Sequence, residues 1–98
     1  MILEVAVLHI KPELNDSFEA TFKEASKIIA SMDGYIEHQL QKCIEQEYKY
    51  ILLVQWETLE DHEVGFRGSE QYQQWKALLH HYYSPFPLVE HYHQIMLD

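Results

Sequence analysis

The chain is poor in the residues that mark several common classes of protein. It has one cysteine, Cys43, three glycines, three prolines, and seven lysines and arginines against sixteen aspartates and glutamates. A lone cysteine excludes an intramolecular disulfide framework and fits a reducing, cytoplasmic compartment. The formal net charge of −9 argues against nucleic acid and anionic membrane surfaces, since both are held by clustered Lys and Arg. No apolar run reaches the roughly 18 residues of a transmembrane helix. The start, MILEVAVLHIKPEL, lacks the basic segment and small-residue cleavage site of a signal peptide. There is no P-loop, G-x-G-x-x-G, G-x-S-x-G or H-E-x-x-H, so nucleotide, flavin and hydrolase chemistry have no local support.

What the chain does have is bulk. Apolar residues make up 47% of it, with seven tyrosines, four phenylalanines and two tryptophans, and seven histidines are its compositional oddity. No linker, repeat or low-complexity segment interrupts the 98 residues, which read as one domain, 1–98. Domains this small bury a modest core and often bury more by oligomerising.

Hydrophobic periodicity gives the element order. ILEVAVLHI (2–10) is apolar on both alternating faces, as in a strand covered on both sides. Pro12 is expected to open a helix in which Phe18, Phe22, Ala25 and Ile29 form one buried stripe, and Gly34 stops it. YIEHQLQK (35–42) alternates weakly, as an edge strand does, and YKYILLVQW (48–56) is the strongest strand. Thr58 and Asp61 resemble a capping box before a short helix, and Ser69 is a good N-cap for a helix over 70–83. Pro85 and Pro87 end that helix, and LVEHYHQIM (88–96) is a last strand. The order β-α-β-β-α-β is the ferredoxin-like α+β arrangement, a four-stranded antiparallel sheet with helices on one face. Two helices cover one face of a sheet whose first and third strands are apolar on both. The other face is therefore expected to meet a second copy of itself, making a homodimer.

Taken in order, ILEVAVLHIKPE, GYIEHQLQ, YILLVQWETLEDHEVGFRGSEQYQQWKALL and PLVEHY resemble the antibiotic biosynthesis monooxygenase family of dimeric α/β barrels. The most specific part runs from the strand-ending Trp56 through ETLEDHEVGFRGSEQYQQWK. The resemblance implies the fold, the homodimer and a pocket between helices and sheet. It also implies a cofactor-independent oxygenase acting on a small electron-rich aromatic such as a quinol. In cofactor-free members the pocket holds the tryptophan ending strand three, a residue of the short helix and a basic residue on the next helix. These fall at Trp56, His62 and Lys76. A pocket asparagine of some members falls at Leu52, a departure from the pattern. The haem-degrading branch resembles the chain less, its ligand histidine falling at Lys76 and its ruffling tryptophan at Phe66.

Under that resemblance His62 takes the proton, Lys76 stabilises the anion, and Trp56, Phe66, Tyr72 and Trp75 form the apolar walls, with His9 also against the substrate. Each has a plainer reading. On a helix running to residue 83, Tyr72, Trp75, Leu79 and Tyr83 share a face that includes Lys76, so its ammonium either reaches the pocket mouth or snorkels to the rim. His62 stands among acids in EDHEV, as a surface residue or, facing inward, as a base of suitable intrinsic pKa. His91 and His93 are two apart on a strand expected beside the first, so His9 could join them on one sheet face. No cysteine or convergent carboxylate completes that set, and no metal or other cofactor is assigned. A small-molecule-binding homodimer without turnover is the alternative to an enzyme.

Overall fold

The computed structural model describes residues 1–98. Its elements are β1 (Ile2–His9), α1 (Asn15–Ala30), β2 (Tyr35–Lys42), β3 (Lys49–Trp56), a short π-helix (Asp61–Phe66), α2 (Glu70–Leu79), a 3-10 turn (His80–Tyr82) and β4 (Val89–Tyr92). The strands form one antiparallel sheet in the order β2-β3-β1-β4. This is the ferredoxin-like α+β fold.

Alternation decides what each strand gives to the core. On β1 the even positions Ala6 and Leu8 are buried, and on β3 Tyr50, Leu52, Val54 and Trp56 are. The α1 stripe of Phe18, Phe22, Ala25 and Ile29 covers them, with Trp75 and Leu79 of α2 beside it. Phe18 touches Tyr50 and Tyr82 ring to ring, and Phe22 meets Trp75 edge-on at 5.7 Å. The odd positions form the opposite face. Leu3, Val5, Val7, Ile51 and Leu53 line its centre half-buried, with Glu37, Gln39 and Gln41 of β2 and Glu90 of β4 on its flanks.

The caps are those the sequence implies. Thr58 donates from both its amide and its hydroxyl to Asp61, whose own amide returns a bond to the Thr58 hydroxyl. The Ser69 hydroxyl accepts from the Tyr72 amide at 3.1 Å.

Three boundaries differ from the sequence reading, each for a physical reason. The first helix starts at Asn15 rather than Pro12, because Lys11–Leu14 closes a turn with Pro12 second and Glu13 at φ 67° third. A left-handed residue cannot continue into a right-handed helix. The second helix stops at Leu79, not at residue 83. Tyr83 is drawn into a bridge with Ile10, and the Tyr82 hydroxyl bonds Ser17 and Thr21 of α1. The last strand ends at Tyr92 because that residue pairs with Leu3, and β1 offers almost no further partner backbone.

Candidate functional site

The inner sheet face carries one buried charged side chain among its apolar neighbours. Glu4 of β1 is 5% exposed and precedes Ala6 on the same face. Beside the small Ala6 side chain, between the sheet and α2, lies a cavity of about 340 Å³. Ala6, Leu8, Leu52 and Val89 form its sheet side, and Phe66, Tyr72 and Trp75 its helical side. His80, Tyr83 and the Phe86–Leu88 segment line one end, while Glu4, His62 and Arg67 bring polar groups to the other.

The polar groups form a connected set. The Trp56 indole N–H donates to Glu4 Oε1 at 2.9 Å, and His62 Nε2 lies 3.3 Å from that oxygen. His62 Nδ1 is 2.7 Å from His91 Nε2, and His91 Nδ1 is 3.8 Å from Glu63 Oε1. The π-helix turns His62 inward, where its ring stacks on Trp56 with centroids 5.3 Å apart. The register of β4 puts His91 directly opposite Glu4, so both imidazoles converge on one strand pair.

Burial dominates the titration of these groups. It raises the Glu4 carboxyl above its ordinary value, with the Trp56 hydrogen bond and the Arg67 charge pulling the other way. Burial, then the charges of Arg67 and His91, pulls His62 down to about 3. His91 is lowered by burial, opposed by Glu63 and reinforced by Arg67. At neutral pH His62 is therefore a neutral ring that donates from one nitrogen and accepts at the other. The buried Tyr83 phenol is raised, first by burial and then by Tyr72 and Glu4, so it stays protonated as a hydroxyl donor.

Of the residues singled out from sequence, His62, Phe66, Tyr72 and Trp75 meet at this cavity. Trp56 is fully buried behind its wall, holding Glu4 and stacking on His62. Two do not reach it. Lys76 is exposed. Once the helix ends at Leu79, Tyr83 no longer widens its apolar face, and Lys76 is left on the flank beyond Tyr72. His9 is an odd position of β1, opposite Lys49 on the outer sheet face, whereas His91 shares the inner face with Glu4. The three imidazoles of His9, His91 and His93 therefore do not gather on one sheet face. His93 lies exposed beyond β4, and no group of three or more His, Cys, Asp or Glu side chains is disposed to hold a metal ion.

Sequence reasoning missed Glu4 and Arg67, and it put Tyr83 on this face through a helix that in fact ends at Leu79. Glu4 left the clearest signal, a carboxylate in phase with Ala6, Leu8 and Ile10 in an otherwise apolar strand. Such a group is buried at a cost unless it is partnered.

Residues 1–78 match the family model for antibiotic biosynthesis monooxygenase, and the chain belongs to that family. It is 58% identical over 95 residues to YczJ, an uncharacterized protein of Bacillus subtilis strain 168, covering 97% of this chain and all of that one. A crystal structure of a protein assigned to the same family from Bordetella bronchiseptica superposes with a TM-score of 0.92 at 30% identity, covering 97% of each chain. SnoaB, a cofactor-independent oxygenase from Streptomyces nogalater solved as a point mutant, shares the fold at a TM-score of 0.70 and 14% identity. That pairing covers 92% of this chain and 86% of SnoaB. No helix is long and apolar enough to cross a membrane.

Proposed function

We propose that this protein is a cofactor-independent monooxygenase for a small electron-rich aromatic, of quinol type, and that it works as a homodimer. The observation that carries the reading is the Glu4–His62 pair, held by Trp56 inside an aromatic-walled cavity of about 340 Å³. That volume falls at the lower end of small-ligand sites, room for one or two fused rings. Phe66, Tyr72 and Trp75 give flat apolar contact, and the Tyr83 hydroxyl donates to a ring oxygen.

The chemistry needs little from the protein. The phenolic proton passes to the His62–Glu4 pair, leaving an aryl oxide in a dry site where its electrons are easily given up. One electron passes to O₂, the radical pair recombines to form a carbon–oxygen bond, and the peroxide anion takes a proton from the solvent side of the cavity, so the proton first taken by Glu4 has still to leave. Loss of water then leaves a ring carbonyl, so one oxygen atom enters the product and the other leaves as water. Glu4, with His62 as its contact group, is the proton acceptor. Arg67 at the cavity edge offsets the negative charge. Lys76 has no part in this reading.

The outer sheet face supports the dimer. Its five aliphatic side chains sit inside a polar border, the anatomy of a self-complementary interface.

Oxygen uptake by metal-free protein over a panel of quinols tests the activity. Uptake above autoxidation is expected, with kcat falling on the order of 10²-fold in Glu4→Gln. No uptake across the panel would overturn it. Quenching of Trp75 fluorescence by the same compounds without uptake would put a non-catalytic binding protein in its place.

A further inference from the structure

We propose that Glu4, His62, His91 and Glu63 form a proton wire between the cavity and solvent, so that a proton deposited on Glu4 leaves the protein through β4. The inference deepens the oxygenase reading, and rests on it for the source of the proton.

Geometry carries the argument. The four groups follow one another at 3.3, 2.7 and 3.8 Å. Side-chain exposure is 7% at Glu4 and 4% at His62, then rises to 17% at His91 and 46% at Glu63, so the path runs from the interior to water. The two rings share one hydrogen bond, and the other nitrogen of each faces a carboxylate, at 3.3 Å for His62 and 3.8 Å for His91, so each ring has a proton donor on one side and an acceptor on the other once these contacts close. The inner end is closed in a defined way. The Trp56 indole N–H can only donate, so it holds Glu4 Oε1 in place and takes no proton onward. At the outer end His91 Nδ1 opens toward the half-exposed Glu63, 3.8 Å away.

The same heavy-atom positions hold two proton arrangements. In the first, Glu4 is a carboxylate, His62 donates to it from Nε2, and His91 donates from Nε2 to His62 Nδ1. In the second, Glu4 carries a proton directed at His62 Nε2, His62 donates from Nδ1 to His91 Nε2, and His91 holds its proton on Nδ1. The second contains one proton more. With both rings in the Nδ1 tautomer, protonating Glu4 from the cavity gives the second arrangement. Glu4 then passes its proton to His62 Nε2, His62 its Nδ1 proton to His91 Nε2, and His91 its Nδ1 proton to Glu63, which leaves the first arrangement with neither ring changing charge. Both rings return to the Nδ1 tautomer before the next proton. The raised Glu4 and lowered His62 and His91 keep both rings neutral over the working range. The other titratable or charged groups facing the wire are Arg67 at the end of the π-helix and, across the cavity, Tyr83, Tyr72 and His80.

Without such a path the proton on Glu4 would have to leave through the substrate's own cavity. His91 would then act as a relay and positioning residue, since the substrate contacts belong to Glu4 and His62.

Two measurements on the full chain test this. The first needs no substrate. In protein carrying ¹⁵N-histidine, titration between about pH 8 and about pH 4 should move the proton of His62 from Nε2 to Nδ1 and that of His91 from Nε2 to Nδ1 in one shared transition. Glu4→Gln should abolish the His62 change. The wire is overturned if His91 takes up a proton alone while His62 keeps its proton on Nε2. The second uses turnover. His91→Gln leaves Glu4 and His62 in place, so the first turnover should survive while steady-state kcat falls on the order of 10²-fold and recovers with added imidazole. An unchanged steady-state rate in His91→Gln would also overturn the wire. A shared tautomer transition in a protein that oxidises no quinol would instead leave the wire standing and remove the oxygenase reading.

Discussion

Replacing His62 by Phe in a chain whose Glu4 is already Gln isolates how much stability depends on keeping that imidazole neutral. In the folded protein His62 sits at about 3, pulled down from 6.5 mainly by burial. Between those two values the unfolded chain binds a proton that the folded chain refuses, so stability rises with pH through this window and is lost on acidification. At pH 5 the loss relative to pH 8 is about 2 kcal/mol, the free energy of protonating a ring of ordinary pKa in the unfolded state alone. The figure depends little on the folded value, because at pH 5 the folded ring is neutral whenever that value is at or below about 4.

The Glu4→Gln background matters because Glu4 has the opposite sign. Its raised carboxyl contributes stability that is present below its unfolded value and is lost as pH rises through the folded one. Left in place, it would mask part of the His62 effect. The measurement is urea unfolding at fixed protein concentration, followed by Trp56 and Trp75 fluorescence, at pH 8 and at pH 5. Glu4→Gln should lose about 2 kcal/mol more on acidification than Glu4→Gln/His62→Phe. Phe suits the site because the ring stacks on Trp56 and lies 6.3 Å from Phe66. Parallel curves for the two chains would refute the argument, since they would mean that His62 accepts its proton as readily folded as unfolded.

Two further outcomes follow from the fold. Gly34 has φ 82°, and a Cβ there would stand 2.1 Å from Asp61 Oδ2, so Gly34→Ala should cost about 2–3 kcal/mol in urea unfolding, the strain plus the lost cap of the π-helix. Leu53 lies at the centre of the outer sheet face opposite Val5, so under the proposed homodimer Leu53→Lys should halve the mass found by sedimentation velocity, because each copy would press a charge into the face it shares with the other.

The fold was readable because each element's local signals agreed with one another. The Phe18–Ile29 stripe, the Thr58–Asp61 box and the Ser69 cap are all local, and each does in three dimensions what its spacing implies. The errors arose where distant segments decide. Tyr83 reads as the next residue of a helical face until Ile10 claims its backbone for a bridge. Lys76 then lies on the flank of that face rather than within it, a position that follows from where the helix ends.

The site was half legible for a related reason. Which residues share a sheet face follows from alternation within one strand, but which residues meet across strands follows from register, and register is set by contacts the sequence does not display. A strand with histidines at 91 and 93 beside one with a histidine at 9 suggests an imidazole group. The observed register instead places His91 against Glu4 and sends His9 to the other face. The informative feature was the acid. A carboxylate on the inner face of β1 needs donors to be tolerated, and Trp56 and His62 are aromatic residues that can supply them while filling a core. The burial that makes Glu4 costly also raises its carboxyl toward the range in which it can take a proton from a phenol and give it up again. In the proposed reaction stability and chemistry draw on the same three side chains, and a substitution at any one of them should register in both.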